Sequence, residues 1–458
     1  MAVSTRADGV DDLILKRMHE RNITGLSLAV VKDGKIIKAQ GYGFTDKSNR
    51  VPVTADTLFQ AGSISKPVAA MAVLHLVEQG RLSLDENVNE KLRTWKVPEN
   101  EFTKEKKVTL RGILSHSAGL TVHGFPGYVA DAKLPDITQI LDGVAPANTP
   151  AVRVDMLPGT QWRYSGGGYL LTQRVLADVT GVPLPKLLRE TVLAPLGMTH
   201  STYEQPLPAA RLSEVAMPHG ADGQALREGP HVYPELAAAG LWTTPTDLAR
   251  YALGVEAALA GKSKVISAKT ARAMLTPVIG QQGLGPQVAG STARKLFTHG
   301  GANAGYRCWF VAYEDGEGAV IMTNSDRGDE LASDVMRTVA YVYQWPEFAP
   351  PTRTMTRLDP AATTRFAGVY QLDDGSTYLV RAAGDHLVGG ILGDTPAALS
   401  PSSDHEFFAR DVDLVVNFTV DANGRSTKAM LHRGGSTIGI HREVHDQVDV
   451  ASEEFVIG

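Results

Sequence analysis

Residues 68–80 read VAAMAVLHLVEQG, a helical stretch that is apolar nearly all round and stops at Gly80. A helix with a single apolar stripe lies on a surface, whereas one that is apolar on every face is buried. The fold therefore has to enclose this segment, and whatever stands at its N-terminal end is drawn inward with it. At 458 residues the chain exceeds what one compact core usually takes, so two domains are expected.

The pattern along the chain divides accordingly. An opening helix, DDLILKRMHERN, leads into LSLAVV-KDG-KIIKAQGYGF, two β-rich runs around Asp33-Gly34 and a strong hairpin signal. Residues 85–275 read mostly as helical segments broken by Pro and Gly, such as LPKLLRETVLAPLG and TPTDLARYALGVEAAL. Strand signals return at LFTHGG, YRCWFVAYEDG and GAVIMTNS, with EDGEG as another hairpin turn, before a last helix, ELASDVMRTVAYVYQW. Hairpins and helices at both ends around a helical insert predict an antiparallel sheet built from both chain ends. WPEFAPPTRTMTRLDP, residues 345–360, is proline-rich and lacks periodicity, as a linker does. Beyond it come AGVYQLDDG, STYLVRAAGD, HLVGGI, EFFARD, DLVVNFTVDANG and RSTKAMLHRGG, short strands that predict a small all-β barrel or sandwich.

Bulk properties exclude several function classes. Lys+Arg 45 against Asp+Glu 50 gives a net charge of −5, with no basic excess for nucleic acid or an anionic membrane. The single cysteine, Cys308, permits no intrachain disulfide. MAVSTRADGVDDLILK lacks the apolar region of a secretory signal and no apolar run approaches a membrane span, so a cytoplasmic protein is expected, or a periplasmic one had a leader been trimmed.

Three short motifs carry the candidate chemistry. In AGSISKPVAAM, residues 61–71, Ser63 and Lys66 stand at i, i+3 and share one helical face. Pro67 fits only the first turn, which predicts a helix beginning at about Ser63. There the hydroxyl sits near unsatisfied backbone N–H groups that can hold an oxyanion. A lysine desolvated beside it can act as a base. The bland alternative is a capped helix with Lys66 in water, since S-x-x-K occurs roughly once by chance in a chain of this length. The second motif, Tyr164-Ser165-Gly166 in QWRYSGGGY, is read as a loop where backbone approaches a ligand closely, or else as a flexible turn with Tyr164 as packing. The third, His299-Gly300-Gly301 in FTHGGANAGYRCWF, is read as a strand beside which substrate lies, or as a tight turn with a surface histidine. There is no H-E-x-x-H, no Cys/His ligand spacing and no G-x-S-x-G elbow.

Together and in this order, the motifs resemble the serine β-lactamase and penicillin-binding protein superfamily. The likeness is nearest to its class C-like branch, with the family VIII carboxylesterases and D-amino-acid peptidases. LRGILSHSAGL (110–120), LPGTQWRYSGGGY (157–169) and AAGLWTTPTDLARY (238–251) look like the same family. The likeness spans roughly residues 10–345, and the C-terminal part resembles the lipocalin-like barrel appended to some members. It implies an α+β architecture: a β-lactamase-like domain over 1–345, with an antiparallel sheet flanked by helices plus a helical domain, then a linker over 346–360 and an all-β barrel over 361–458.

The resemblance also implies a mechanism. Ser63 attacks a carbonyl to form an acyl-enzyme that water hydrolyses, and Lys66 and Tyr164 share the proton work. His299 belongs to the catalytic set. The backbone N–H groups of Ser63 and Ala302 form the oxyanion hole, and Gly166, Gly300 and Gly301 border the substrate. No cofactor or metal is called for. Two departures bear on substrate. Gly166 stands where many members carry an asparagine that grips the substrate amide. His299, ordinarily mostly neutral at pH 7 (pKa ~6.5), stands where β-lactamases carry lysine. Both favour neutral esters, so a carboxylesterase acting on a small-molecule ester is expected. A D-amino-acid amidase or peptidase, or a weak β-lactamase, is the nearest rival, and a non-catalytic sensor is the rival of another class. His116 is read as a satisfied structural histidine and Cys308 as a small buried hydrophobe. Trp242 and Tyr128 are read as core aromatics in preference to acyl-pocket walls, and Asp247 as part of a helix start capped by Thr244 or Thr246. Substrate preference, the barrel's role and homo-oligomerisation are left open.

Overall fold

Asp33 and Gly34 take positive φ angles of 51° and 69°, the backbone that a two-residue hairpin turn demands. They join strands Gly25–Lys32 and Lys35–Gly43, with Lys32 paired to Lys35. The computed structural model describes residues 9–291, 294–348, 353–372, 376–392, 396–409, 414–433 and 436–442. The first half of the N-terminal stretch read for a leader, residues 349–352 of the linker and residues 443–458 of the assigned barrel lie outside these. The chain divides into two compact units, Met1–Phe348 and Ala349–Gly458.

In the first unit six antiparallel strands form one sheet, in the order Lys35–Gly43, Gly25–Lys32, Gly318–Thr323, Tyr306–Tyr313, Lys295–Asn303, Gln287–Gly290. Leu26 pairs with Thr323 and Val31 with Gly318, so the sheet is built from both ends of the unit, as the two hairpin signals predict. Alternation sorts its side chains. Leu26, Leu28, Val30, Val311 and Ile321 bury one face against helices Val10–Glu20 and Gly328–Tyr343. Ala29, Val31, Phe310, Ala312, Val320 and Met322 line the other, in a single core with helix Pro245–Leu259 and the all-apolar helix Ser65–Glu78. Every residue from Ser65 to Leu74 is buried. The insert is less helical than its sequence reads. Apart from Gly166–Thr180 and Pro245–Leu259, it holds short helices such as Leu110–Leu114, Ile137–Asp142 and Leu184–Leu188. Gly143 ends Ile137–Asp142 as its left-handed cap, while Leu110–Leu114 ends at Ser115 and Leu184–Leu188 runs on into a π-helical turn, Arg189–Leu193.

The second unit is a closed barrel of eight antiparallel strands. Each pairs with the next in sequence, and Ser436–Arg442 closes the ring onto Gly368–Leu372. An eight-stranded barrel is wide enough either to fill with side chains or to hold one small ligand. This one is filled: the rings of Phe366, Phe407 and Phe418 meet at 4.8–5.7 Å between centroids inside the core. Two strands escape the sequence reading, Ala397–Pro401 and Ser436–Arg442.

Candidate active site

The helix of the first motif begins two residues later than its sequence predicts. The α-helix starts at Ser65, and Ser63 sits in a 3₁₀ turn, Gly62–Ile64, that leads into it. Ser65 locks that turn. Its hydroxyl donates to Gly62 O at 2.6 Å and accepts from Leu241 N at 3.0 Å. Tyr203 and Tyr251 donate to the carbonyls of Ser65 and Pro67 at 2.7 and 3.2 Å. Gly62 has φ +50°, and a side chain there would begin 2.6 Å from the Ala302 nitrogen. A side chain on Gly301 would meet Ala61 O at 2.0 Å. These two glycines let strand Lys295–Asn303 press its backbone against the serine turn, bringing Ala302 N against Gly62.

Lys66 fills the space behind. It is 2% exposed, and its Nζ donates to Ser63 Oγ at 2.9 Å and to Ala238 O at 2.9 Å. The same nitrogen lies 5.0 Å from the ring centroid of Tyr164 and 5.8 Å from that of Tyr169, within cation–π range. No hydrogen bond ties the Tyr164 hydroxyl among the described residues. The bland alternative for the first motif, a lysine in water, is thereby excluded. His299 stands 6.2 Å from Tyr164 between centroids. Its Nδ1 lies 2.6 Å from Gly300 O; a carbonyl only accepts, so Nδ1 carries the proton and Nε2 keeps a lone pair. Burial, with the nearby Lys66 charge, pushes the His299 pKa down to about 4, so the ring is neutral at physiological pH.

A model of the Beta-lactamase family matches residues 10–343. The chain belongs to the beta-lactamase family. It is 24% identical over 443 residues to Penicillin-binding protein 4* of Bacillus subtilis, covering 92% of this chain and 95% of that protein. Among solved structures it is similar to the octameric penicillin-binding protein homologue from Pyrococcus abyssi, with TM-score 0.65 and 23% identity over 95% of this chain and all of that one. It is also similar to the D-amino acid amidase from Ochrobactrum anthropi, with TM-score 0.59 and 23% identity over 73% of this chain and 98% of that one.

Within this beta-lactamase family member, several expected roles change. Gly166, Gly167 and Gly168 are not a loop but the first turn of helix Gly166–Thr180, whose cap is Ser165 Oγ accepting from Gly168 N at 3.0 Å. A side chain on Gly166 would meet His123 O and the Phe125 ring at 3.0 Å, and one on Gly167 would meet Thr121 O at 2.7 Å. Close packing of the 121–125 segment requires these glycines, so Gly166 borders protein. Gly301 likewise serves packing, whereas Gly300 is exposed and a side chain there would meet nothing nearer than Cys308 O at 3.9 Å. Trp242 and Tyr128 are buried core aromatics. Cys308, buried opposite Gly301, has its thiol pKa raised by burial. Thr244 is the cap of helix Pro245–Leu259, accepting from Asp247 N, and Asp247 is wholly buried outside the site. His116 is only half satisfied: its Nδ1 accepts from Ser165 N at 3.1 Å, but its Nε2 has no partner.

Sequence reading also missed Glu235, next to helix Leu236–Ala239, which supplies the Ala238 carbonyl to Lys66. It is wholly buried, neither carboxylate oxygen finds a partner in another residue among the described residues, and burial holds its pKa up at about 7. Because the folded state keeps this proton to higher pH than the unfolded chain, the contribution to stability is full below the unfolded value of 4.5 and is lost as pH rises through about 7. Glu235→Gln should remove that dependence. Relative to the variant, wild type should lose about 3 kcal/mol between pH 4.5 and pH 8, read by denaturant unfolding at both pH values. Parallel curves for the two proteins would refute it.

Proposed function

We propose that the protein is a serine hydrolase that works through an acyl-enzyme on Ser63, with short neutral esters as its preferred substrates. The observation that carries the reading is the 2.9 Å bond from buried Lys66 Nζ to Ser63 Oγ, which places a proton carrier on the hydroxyl that must lose its proton. Ser63 Oγ attacks the ester carbonyl carbon. Its proton passes to the Lys66–Tyr164 pair and then to the departing alkoxide as the C–O bond breaks. The oxyanion is held by the N–H groups of Ser63 and Ala302; water then attacks the acyl carbon, gives a proton to the Lys66–Tyr164 pair, and the pair returns one to Ser63 Oγ as the Oγ–acyl bond breaks and the acid leaves. Ester preference follows from what flanks the serine. Neutral His299 offers a substrate carboxylate no cation. Neutral Nε2 of His299 is an acceptor for a polar hydrogen of the substrate.

The similarity to a D-amino acid amidase makes an amide the reading to test against. Wild type and Ser63→Ala should be compared on a short p-nitrophenyl ester, a D-alanyl p-nitroanilide and nitrocefin. Ester turnover at least ~10²-fold faster than the other two, and lost in the variant, is the expected result. Faster anilide or nitrocefin turnover would overturn the ester preference. Labelling by a fluorophosphonate without turnover of any substrate would move the protein to a binding or sensing role.

A further inference from the structure

We infer that His116 is the positioning residue for Tyr164, clamping it beside Lys66 from three sides while contributing no charge; the inference rests on the hydrolase reading above. The backbone carbonyl of His116 accepts from Arg163 N at 2.8 Å, and its ring Nδ1 accepts from Ser165 N at 3.1 Å. These two bonds fix the residues immediately before and after Tyr164. Between them the imidazole stacks on the phenol ring, centroids 4.2 Å apart and planes 27° from parallel. A stacking pair of this geometry favours one ring position over its rotamer alternatives.

His116 holds φ +56° as the left-handed residue that ends helix Leu110–Leu114, with its N–H on Ile113 O and Ser117 N on Gly112 O, and this helix end turns its carbonyl and its ring toward the same neighbour. The ring is also buried with one nitrogen unsatisfied. Because Nδ1 accepts the Ser165 amide, the neutral ring carries its proton on Nε2, and Nε2 has no partner among the described residues. A buried N–H left unbonded is costly, a cost that a histidine kept only for packing has no reason to bear. The titratable groups around it are Lys66, Tyr164, Tyr169, His123 and His299. Burial and the Lys66 charge hold His116 well below its ordinary pKa, which preserves Nδ1 as an acceptor.

The test is a double-mutant cycle with Tyr164. His116→Asn keeps an oxygen close to the Nδ1 position and suits a left-handed backbone, but removes the stacked ring. It should lower kcat on the p-nitrophenyl ester about 10- to 100-fold, change KM less than about threefold, and slow fluorophosphonate labelling of Ser63 to match. In a Tyr164→Phe background the same substitution should cost less than about threefold, because a residue that acts through Tyr164 has nothing left to position. Equal factors in both backgrounds, or wild-type kcat in His116→Asn, would overturn the inference. Wild-type rates in Tyr164→Phe would overturn it as well, while leaving the Ser63 acyl-enzyme reading intact. Wild-type protein that neither turns over ester nor labels would instead sink the hydrolase reading itself. His116→Gly, equally at ease at this φ, takes the place of the Asn variant if that variant does not fold.

Discussion

Ser63→Ala should fold and melt like wild type yet hydrolyse a short p-nitrophenyl ester at least ~10⁴-fold more slowly, since loss of the attacking atom leaves only binding and oxyanion stabilisation. The neighbouring hydroxyl cannot stand in for it. Ser65 Oγ, two residues on, is committed to Gly62 O and Leu241 N and holds the turn in place. Removing Ser63 Oγ deletes one acceptor of Lys66 and leaves the Ala238 carbonyl as the other, so the fold loses little. Initial rates with stopped controls for spontaneous ester hydrolysis, alongside a thermal melt, decide the matter. Residual activity within a hundredfold of wild type would mean that another group is the nucleophile.

The second large effect is on Lys66, and its two readouts run in opposite directions. Lys66→Met should lower kcat by ~10³-fold or more, because the Lys66–Tyr164 pair that takes the serine proton is broken. The same variant should melt several degrees higher. Lys66 is 2% exposed and takes part in no salt bridge among the described residues. Its ammonium is held by one hydroxyl, one carbonyl and two ring faces, and such a charge buried without a counter-ion costs several kcal/mol. Methionine fills a similar volume with no charge to desolvate. A protein that gives up stability to keep a reactive group shows this trade. Activity within tenfold of wild type would remove Lys66 from the chemistry. A lower melting temperature would show that its hydrogen bonds outweigh the burial of its charge.

What could be read from the sequence, and what could not, follows from the range of each interaction. Asp33-Gly34 and Ser63–Lys66 are local: a turn residue or an i, i+3 pair carries its meaning within a few positions. The Ala238 carbonyl that holds Lys66 lies 172 residues away and is a backbone atom, so no residue type announces it. Three consecutive glycines read as loop because glycine disfavours helix. In the fold a Ser165 cap and close contact with the 121–125 segment outweigh that preference. His116 reads as structural because its second role depends on a tyrosine 48 positions later. In the barrel, AALSP lacks the β-branched and aromatic alternation that marks DLVVNFTV, and pairing with both neighbours supplies what its propensity does not, whereas STIGIHR, with Ile438 and Ile440 two apart, carries a strand signal of its own.

That closure has a bearing on how the molecule meets its surroundings. A sheet that ends in a strand exposes a row of unpaired amides and carbonyls that an extended peptide or a second chain can join. The C-terminal ring has no such border, because its first and last strands are hydrogen-bonded to each other. A partner of that ring, among the described residues, meets side chains and turns, and strand addition, one route by which β domains recruit peptides or aggregate, finds no edge there.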